Sequence, residues 1–128
     1  MTIAYWCVLI TAMMPYIFTG IAKIKAGRPY NNHNPRAFLA QSTGLSERAD
    51  NAQHNNFEAF PAFAAAVIIA HQVNVGQMTI DTLAVIFVGA RVLYGYCYLS
   101  DRASLRTLFW VIGIFSMIGL FVSAGLVS

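Results

Sequence analysis

The chain has 128 residues, of which 58% are hydrophobic and 10% are charged, and its mean hydropathy is +0.59. Soluble domains carry about 25% charged residues, so this composition is typical of a membrane protein and excludes an ordinary soluble domain. The formal net charge of +3 comes mainly from short connecting regions. No segment outside the apolar runs is long enough to form a nucleic-acid-binding surface.

Four apolar segments run along the chain. A membrane-spanning helix needs about 20 mostly apolar residues, and continuous apolar runs favour helices over a β-barrel. The sequence therefore predicts one all-α domain, an integral membrane four-helix bundle over residues 1–128. Pro15 is expected to kink the first span. The spans are expected at about residues 3–22, 57–75, 80–99 and 105–126.

The connections predict an orientation. Residues 23–46 form a long polar loop, expected to be irregular because of its glycine, proline and asparagine residues, and residues 74–79 and 100–104 form short turns. Ser46 is a candidate cap for the second helix. All basic residues except Arg91 lie in or beside the loops 23–46 and 100–104. By the positive-inside rule both loops are cytoplasmic, and both termini lie on the other side.

A polar stripe precedes the second span. Arg48, Asn51, Asn55 and Glu58 follow each other at helical spacing and share one face of a helix that continues into an apolar run. A carboxylate at the edge of the lipid is costly, which makes this stripe a candidate binding surface.

Arg91 lies in the middle of the third span and needs a partner there. It stands eleven residues before Arg102, and Glu58 stands eleven residues after Glu47, which places both side chains about 16 Å from the same membrane face. We therefore predict a Glu58–Arg91 ion pair. Such a pair either fixes the helix register alone or also orients a nearby site.

A second stripe leads from Arg91 through Tyr94 to Tyr98, and Arg106 opens the fourth span. These tyrosines also fit an interfacial belt, and Arg106 also fits a topology anchor. Alternatively, Arg106 and Tyr98 converge with Asn55 and Glu58, and this set suits a small zwitterionic ligand such as a peptide. The three histidines have no metal-binding spacing, so no metal site is predicted.

Residues 47–107 resemble the MAPEG family, the membrane-associated proteins in eicosanoid and glutathione metabolism. Two short patterns and one arginine carry the resemblance. The second helix holds Glu47, Arg48, Ala52, Asn55, Glu58 and Pro61; the third holds Arg91, Tyr98 and Leu99; and Arg106 opens the fourth. The chain length and the four-span plan also fit this family.

The resemblance implies a homotrimer of four-helix protomers that holds glutathione as co-substrate between neighbouring subunits. It also implies membrane lipids and a hydrophobic small-molecule substrate as partners. Arg106 would be the catalytic residue that activates the thiol. The glutathione-contacting positions implied by the resemblance are Lys23, Asn55, Glu58, Tyr94, Tyr98 and Thr107.

Three functions remain as hypotheses. The first is a membrane glutathione transferase or peroxidase-like enzyme acting on hydrophobic electrophiles. The second is a non-catalytic member that binds lipid or partner proteins in the same cleft, which is favoured by Asn51 and Gln53 at positions where glutathione-using members commonly have Arg and His. A small transporter is the third, and the predicted pairing of Glu58 argues against it.

Overall fold

The computed structural model describes residues 1–128, and all its regular structure is helical. Four of its five helices are long, and the fifth has only 6 residues. The elements are α1 (Ile3–Ile24), α2 (Pro35–Ala40), α3 (Gly44–Gln72), α4 (Gln77–Leu99) and α5 (Ala103–Val127). The four long helices follow the four predicted spans, and α2 is an additional fifth helix within the predicted loop.

The long helices run alternately up and down. Ala4 near the start of α1 packs in one apolar cluster with Ala70 near the end of α3, Ile80 near the start of α4 and Ala124 near the end of α5. One end of the bundle therefore holds both termini and the α3–α4 turn. The opposite end holds the α1–α3 connection and the α4–α5 turn. Because seven of the eight basic residues lie at this second end, we call it the basic end.

Three helices, α1, α4 and α5, are long and apolar enough to cross a membrane. The prediction of four spans is thus confirmed for three helices. The remaining one, α3, is 29 residues long, but its first half is polar and its apolar part contains Glu58 and Pro61.

The two short turns share one geometry. Asn74 and Asp101 adopt left-handed backbone conformations, with φ of 62° and 58°, and these two residue types tolerate that region well. The next amide in each turn reaches back to the helix end: Val75 N donates to Ala70 O at 3.0 Å and Arg102 N to Cys97 O at 2.8 Å. These are Schellman motifs, which hold each pair of helices antiparallel.

The α1–α3 connection is more ordered than the sequence predicted. Pro35 opens α2, and the Asn34 side chain caps it by accepting from Ala37 N at 3.3 Å. The Arg28 guanidinium donates to the carbonyl oxygen of Phe38 and lies over its ring. Proline at the first helical position and asparagine before it form a helix start, a signal that the prediction of an irregular loop did not use.

Ser46 does not cap the N-terminus of α3, which corrects that prediction. The helix begins earlier, at Gly44, and the buried Ser46 hydroxyl donates instead to Ala22 O at 2.6 Å. Two residues on, Arg48 Nε donates to Leu99 O at 3.2 Å. The last carbonyls of a helix lack partners within it. The first turns of α3 therefore supply hydrogen-bond donors to carbonyls at the ends of α1 and α4.

Close packing joins α1 to α4. Gly95 lies against the ring of Phe18, and a Cβ atom built at this glycine would stand 2.1 Å from Phe18 Cζ. Pro15 and Pro61 both lie inside continuous helices. The two cysteines, Cys7 and Cys97, are buried free thiols.

Candidate functional site

A buried arginine on α4 organises the polar residues of the bundle. The Arg91 side chain is 2% exposed. Its Nη2 donates to Asn55 Oδ1 at 2.7 Å, and its Nε and Nη2 donate to Asn56 Oδ1 at 3.2 and 3.1 Å. Asn56 is fully buried and its Nδ2 donates to Ala52 O at 2.8 Å. Both functional ends of the Asn56 carboxamide are therefore satisfied.

The predicted Glu58–Arg91 ion pair is not formed. Glu58 is exposed, and the salt bridge within the chain joins His54 to Asp50 at 3.5 Å. Counting from Glu47 and Arg102 misjudged the depth by two to three residues, about 3–5 Å along the helix. Arg91 is level with Asn55 and Asn56, whose neutral carboxamides are less costly to bury than a carboxylate.

Two tyrosines connect Arg91 to the basic end. The Arg91 guanidinium lies 4.3 Å from the centre of the Tyr94 ring, and Tyr94 meets Tyr98 edge to face at 5.6 Å. The guanidinium of Arg106, on the first turns of α5, lies 4.3 Å from the centre of the Tyr98 ring. A cation over an aromatic ring is stabilised by about 0.5–2 kcal/mol, so these contacts fix both guanidinium groups.

The structure therefore brings together five of the residues singled out in the sequence, on α3, α4 and α5. We call them, together with the buried Asn56, the Arg91–Arg106 cluster. Tyr94 is buried, and Tyr98 and Arg106 are half-buried. The cluster comprises Asn55, Asn56, Arg91, Tyr94, Tyr98 and Arg106.

The other candidate residues make different contacts. The Lys23 ammonium lies over the Tyr30 ring, 4.4 Å from its centre. Thr107 is exposed, and its hydroxyl donates to Ala103 O of its own helix at 3.1 Å. Glu58 is exposed on the same helix as Asn55. Asn56 is the one cluster residue that the sequence analysis did not single out. A usable signal was present, because a lone arginine in one span needs a polar partner and the neighbouring helix carries two consecutive asparagines.

A long polar-to-apolar helix packed among three helices that are able to cross a membrane defines an integral membrane protein. A family model described as MAPEG family matches residues 3–126. Because this covers nearly the whole chain, the protein belongs to the MAPEG family. The comparisons with curated proteins and with solved structures gave no match.

Proposed function

We propose that this protein is a membrane-bound glutathione transferase or peroxidase-like enzyme that acts on hydrophobic electrophiles. The observation that carries the proposal is the contact between Arg106 and Tyr98, linked through Tyr94 to Arg91. A half-buried guanidinium and a phenol then face the basic end, where a polar tripeptide enters from water. Family membership supports glutathione as the co-substrate.

The proposed chemistry begins with thiol activation. A free thiol has a pKa of about 8.5, and a neighbouring guanidinium favours its thiolate. The sulfur then attacks an electrophilic carbon of a substrate dissolved in the bilayer, a sulfur–carbon bond forms and the leaving group departs with its electron pair. With a hydroperoxide, the oxygen–oxygen bond breaks instead, and a second glutathione completes the disulfide as alcohol and water are released.

The proposed assembly is a homotrimer with both termini outside the cytoplasm. Apolar side chains remain exposed along α1 and α5, among them Trp6, Met13, Phe115 and Val122, and such faces must contact lipid or neighbouring subunits. We further propose that α3 crosses the membrane as the fourth span, because Phe63 and Val67 pack at the same level as Phe87 of α4. Native mass spectrometry tests the trimer. Labelling of Ser128→Cys with an impermeant thiol reagent tests the side on which the C-terminus lies.

Isothermal titration of the detergent-purified protein with glutathione tests the enzymatic proposal. We expect a binding signal at millimolar glutathione and thiolate absorbance on binding. Arg106→Ala should abolish the thiolate signal, whereas Arg102→Ala, which changes an exposed arginine four residues away, should retain it. The absence of heat from an intact oligomer would refute the proposal.

The second candidate function is non-catalytic binding of lipid or partner proteins in the intersubunit cleft. Asn51 and Gln53 favour it, since neither supplies a positive charge to hold the carboxylates of a tripeptide. Mass spectrometry of the purified oligomer distinguishes the two functions. Retained lipid together with no glutathione binding would favour this alternative.

A further inference from the structure

One cavity of the chain lies outside the Arg91–Arg106 cluster. It occupies about 450 Å³ between α2 and the first half of α3, within the range of about 300–1,000 Å³ that is common for ligand pockets. We call it the α2–α3 cavity. Its lining consists of Arg36, Leu39, Ala40, Asp50, Gln53, His54 and Phe57.

Two buried oxygen atoms belonging to lining residues lack hydrogen-bond donors. Asp50 Oδ1 and Gln53 Oε1 are shielded from solvent and have no partner within the chain. The other carboxylate oxygen, Oδ2, lies 3.5 Å from Nε2 of the mostly exposed His54. A buried acceptor without a donor costs about 1–3 kcal/mol. Burial also raises the pKa of Asp50, and the nearby His54 only partly opposes that shift. A ligand that brings N–H groups would relieve both acceptors.

An unpaired guanidinium group lies on the other wall of the cavity. Arg36 on α2 is exposed and makes no side-chain hydrogen bond or salt bridge within the chain. A guanidinium binds a phosphate group through two parallel hydrogen bonds. In this cavity α3 thus offers acceptors for a cationic group of a ligand, and α2 offers a donor for an anionic group. This pattern suits a zwitterion.

The cavity also lies where the protein passes from polar to apolar surface. Phe57, at its edge, is 41% exposed and begins the apolar part of α3, and Leu39 adds a second apolar side chain. The polar residues of the cavity precede Phe57 in α3 and so lie toward the basic end. This level of a membrane protein meets the phospholipid head groups.

We propose that the α2–α3 cavity binds a phosphoethanolamine group, with its ammonium at Asp50 and Gln53 and its phosphate at Arg36. A primary ammonium has three N–H donors for the two unpartnered acceptors. A quaternary choline ammonium has none, and a site whose buried acceptors stay unpaired discriminates strongly. The group comes either from a membrane phospholipid or from a soluble phosphomonoester. None of the residues proposed to hold this group belongs to the Arg91–Arg106 cluster.

Binding of short-chain lipids to the detergent-purified oligomer tests this site. Dihexanoyl phosphatidylethanolamine should bind at least about tenfold more tightly than dihexanoyl phosphatidylcholine, which corresponds to about 1.4 kcal/mol. Asp50→Asn, which keeps the size of the side chain but removes its charge, should abolish this preference. Asp101→Asn alters an exposed carboxylate in the α4–α5 turn and should preserve it.

Soluble O-phosphoethanolamine identifies the source of the ligand. Binding as tight as that of the lipid assigns the site to a soluble compound, and binding of the lipid alone assigns it to a head group; both results support the site. Equal affinity for the two lipids, or an unchanged preference in Asp50→Asn, would overturn it. Competition by glutathione would also overturn it, because the cavity would then belong to a peptide site.

Discussion

The guanidinium of Arg91 and the carboxamide of Asn56 meet in the interior of the bundle, where the two side chains are 2% and 0% exposed. Both the Nε and the Nη2 groups of Arg91 donate to the same oxygen, Asn56 Oδ1. This contact joins α3 to α4 at the level from which the Arg91–Arg106 cluster extends to the basic end. On the same helix, Tyr94 packs against the Arg91 guanidinium and against Tyr98.

Removing the acceptor at position 56 should destabilise the protein. Asn56→Leu leaves the Arg91 guanidinium with only Asn55, and loss of a partner from a buried charge costs about 3–5 kcal/mol. Thermal unfolding in detergent should show a clear fall in Tm. Asn56→Asp keeps an acceptor for Arg91 but loses the Nδ2 donor to Ala52 O, so its Tm should lie between those of Asn56→Leu and the wild type. Asn51→Leu changes an exposed asparagine of the same helix and is the control. A wild-type Tm for Asn56→Leu would contradict this role.

Gly95→Ala should weaken the packing of α1 against α4. The new Cβ would overlap the Phe18 ring, and overpacking of this kind costs about 1–3 kcal/mol. Gly89→Ala in the same helix has nothing within 4 Å of the new Cβ, so it should stabilise α4 by up to about 1 kcal/mol. Thermal unfolding measures both changes. Combining Gly95→Ala with Phe18→Leu should recover part of the loss, and no recovery would argue against the overlap as its cause.

Ser46→Ala should separate the start of α3 from the end of α1. It removes the donor to Ala22 O and leaves a buried carbonyl unpaired, a loss of about 1–3 kcal/mol. Ser104→Ala alters an exposed serine near the start of α5 and should have little effect. Hydrogen exchange of the last turn of α1 should accelerate in Ser46→Ala alone. Equal exchange in both variants would show that this hydrogen bond does not hold the two helices together.

Asp50 should make stability depend on acidic pH. Burial raises its pKa in the folded protein, so the folded state takes up this proton at a higher pH than the unfolded state does. The free energy of unfolding should therefore increase as pH falls through the folded pKa toward the unfolded one. The difference in Tm between the wild type and Asp50→Asn, measured from neutral to acidic pH, should shift in favour of the wild type. A constant difference would contradict the raised pKa.

Much of the architecture follows from hydropathy alone. The apolar runs predict α1, α4 and α5 closely, because a spanning helix must satisfy its own backbone and has a length set by the bilayer. The α2 helix was missed because six residues provide no periodic signal, so only the cap formed by Asn34 and Pro35 could have revealed it. The role of Ser46 was misassigned because it was interpreted as a cap of its own helix, α3, whereas its hydroxyl donates to a carbonyl at the end of α1.

The candidate site was predicted only in part, for a physical reason. Helical spacing correctly grouped Arg91, Tyr94 and Tyr98, because residues on one face of one helix share a register. The partner of Arg91 depends on how far α3 is displaced along its axis relative to α4. An error of a few ångströms in this displacement predicts Glu58 as the partner in place of Asn55 and Asn56. The expectation that opposite charges pair is weaker inside a bundle, where the desolvation of a carboxylate opposes pairing.

The pairing of Arg91 with carboxamides has an electrical consequence. Its partners are neutral, and no carboxylate lies within ion-pair distance, so no ion pair compensates the guanidinium charge in a medium of low dielectric constant. Arg106 likewise rests on a tyrosine ring and pairs with no acid. Coulomb forces between such groups and a visiting ion are weakly screened. An anion that reached the Arg91–Arg106 cluster would therefore meet two guanidinium groups that form no ion pair within the chain.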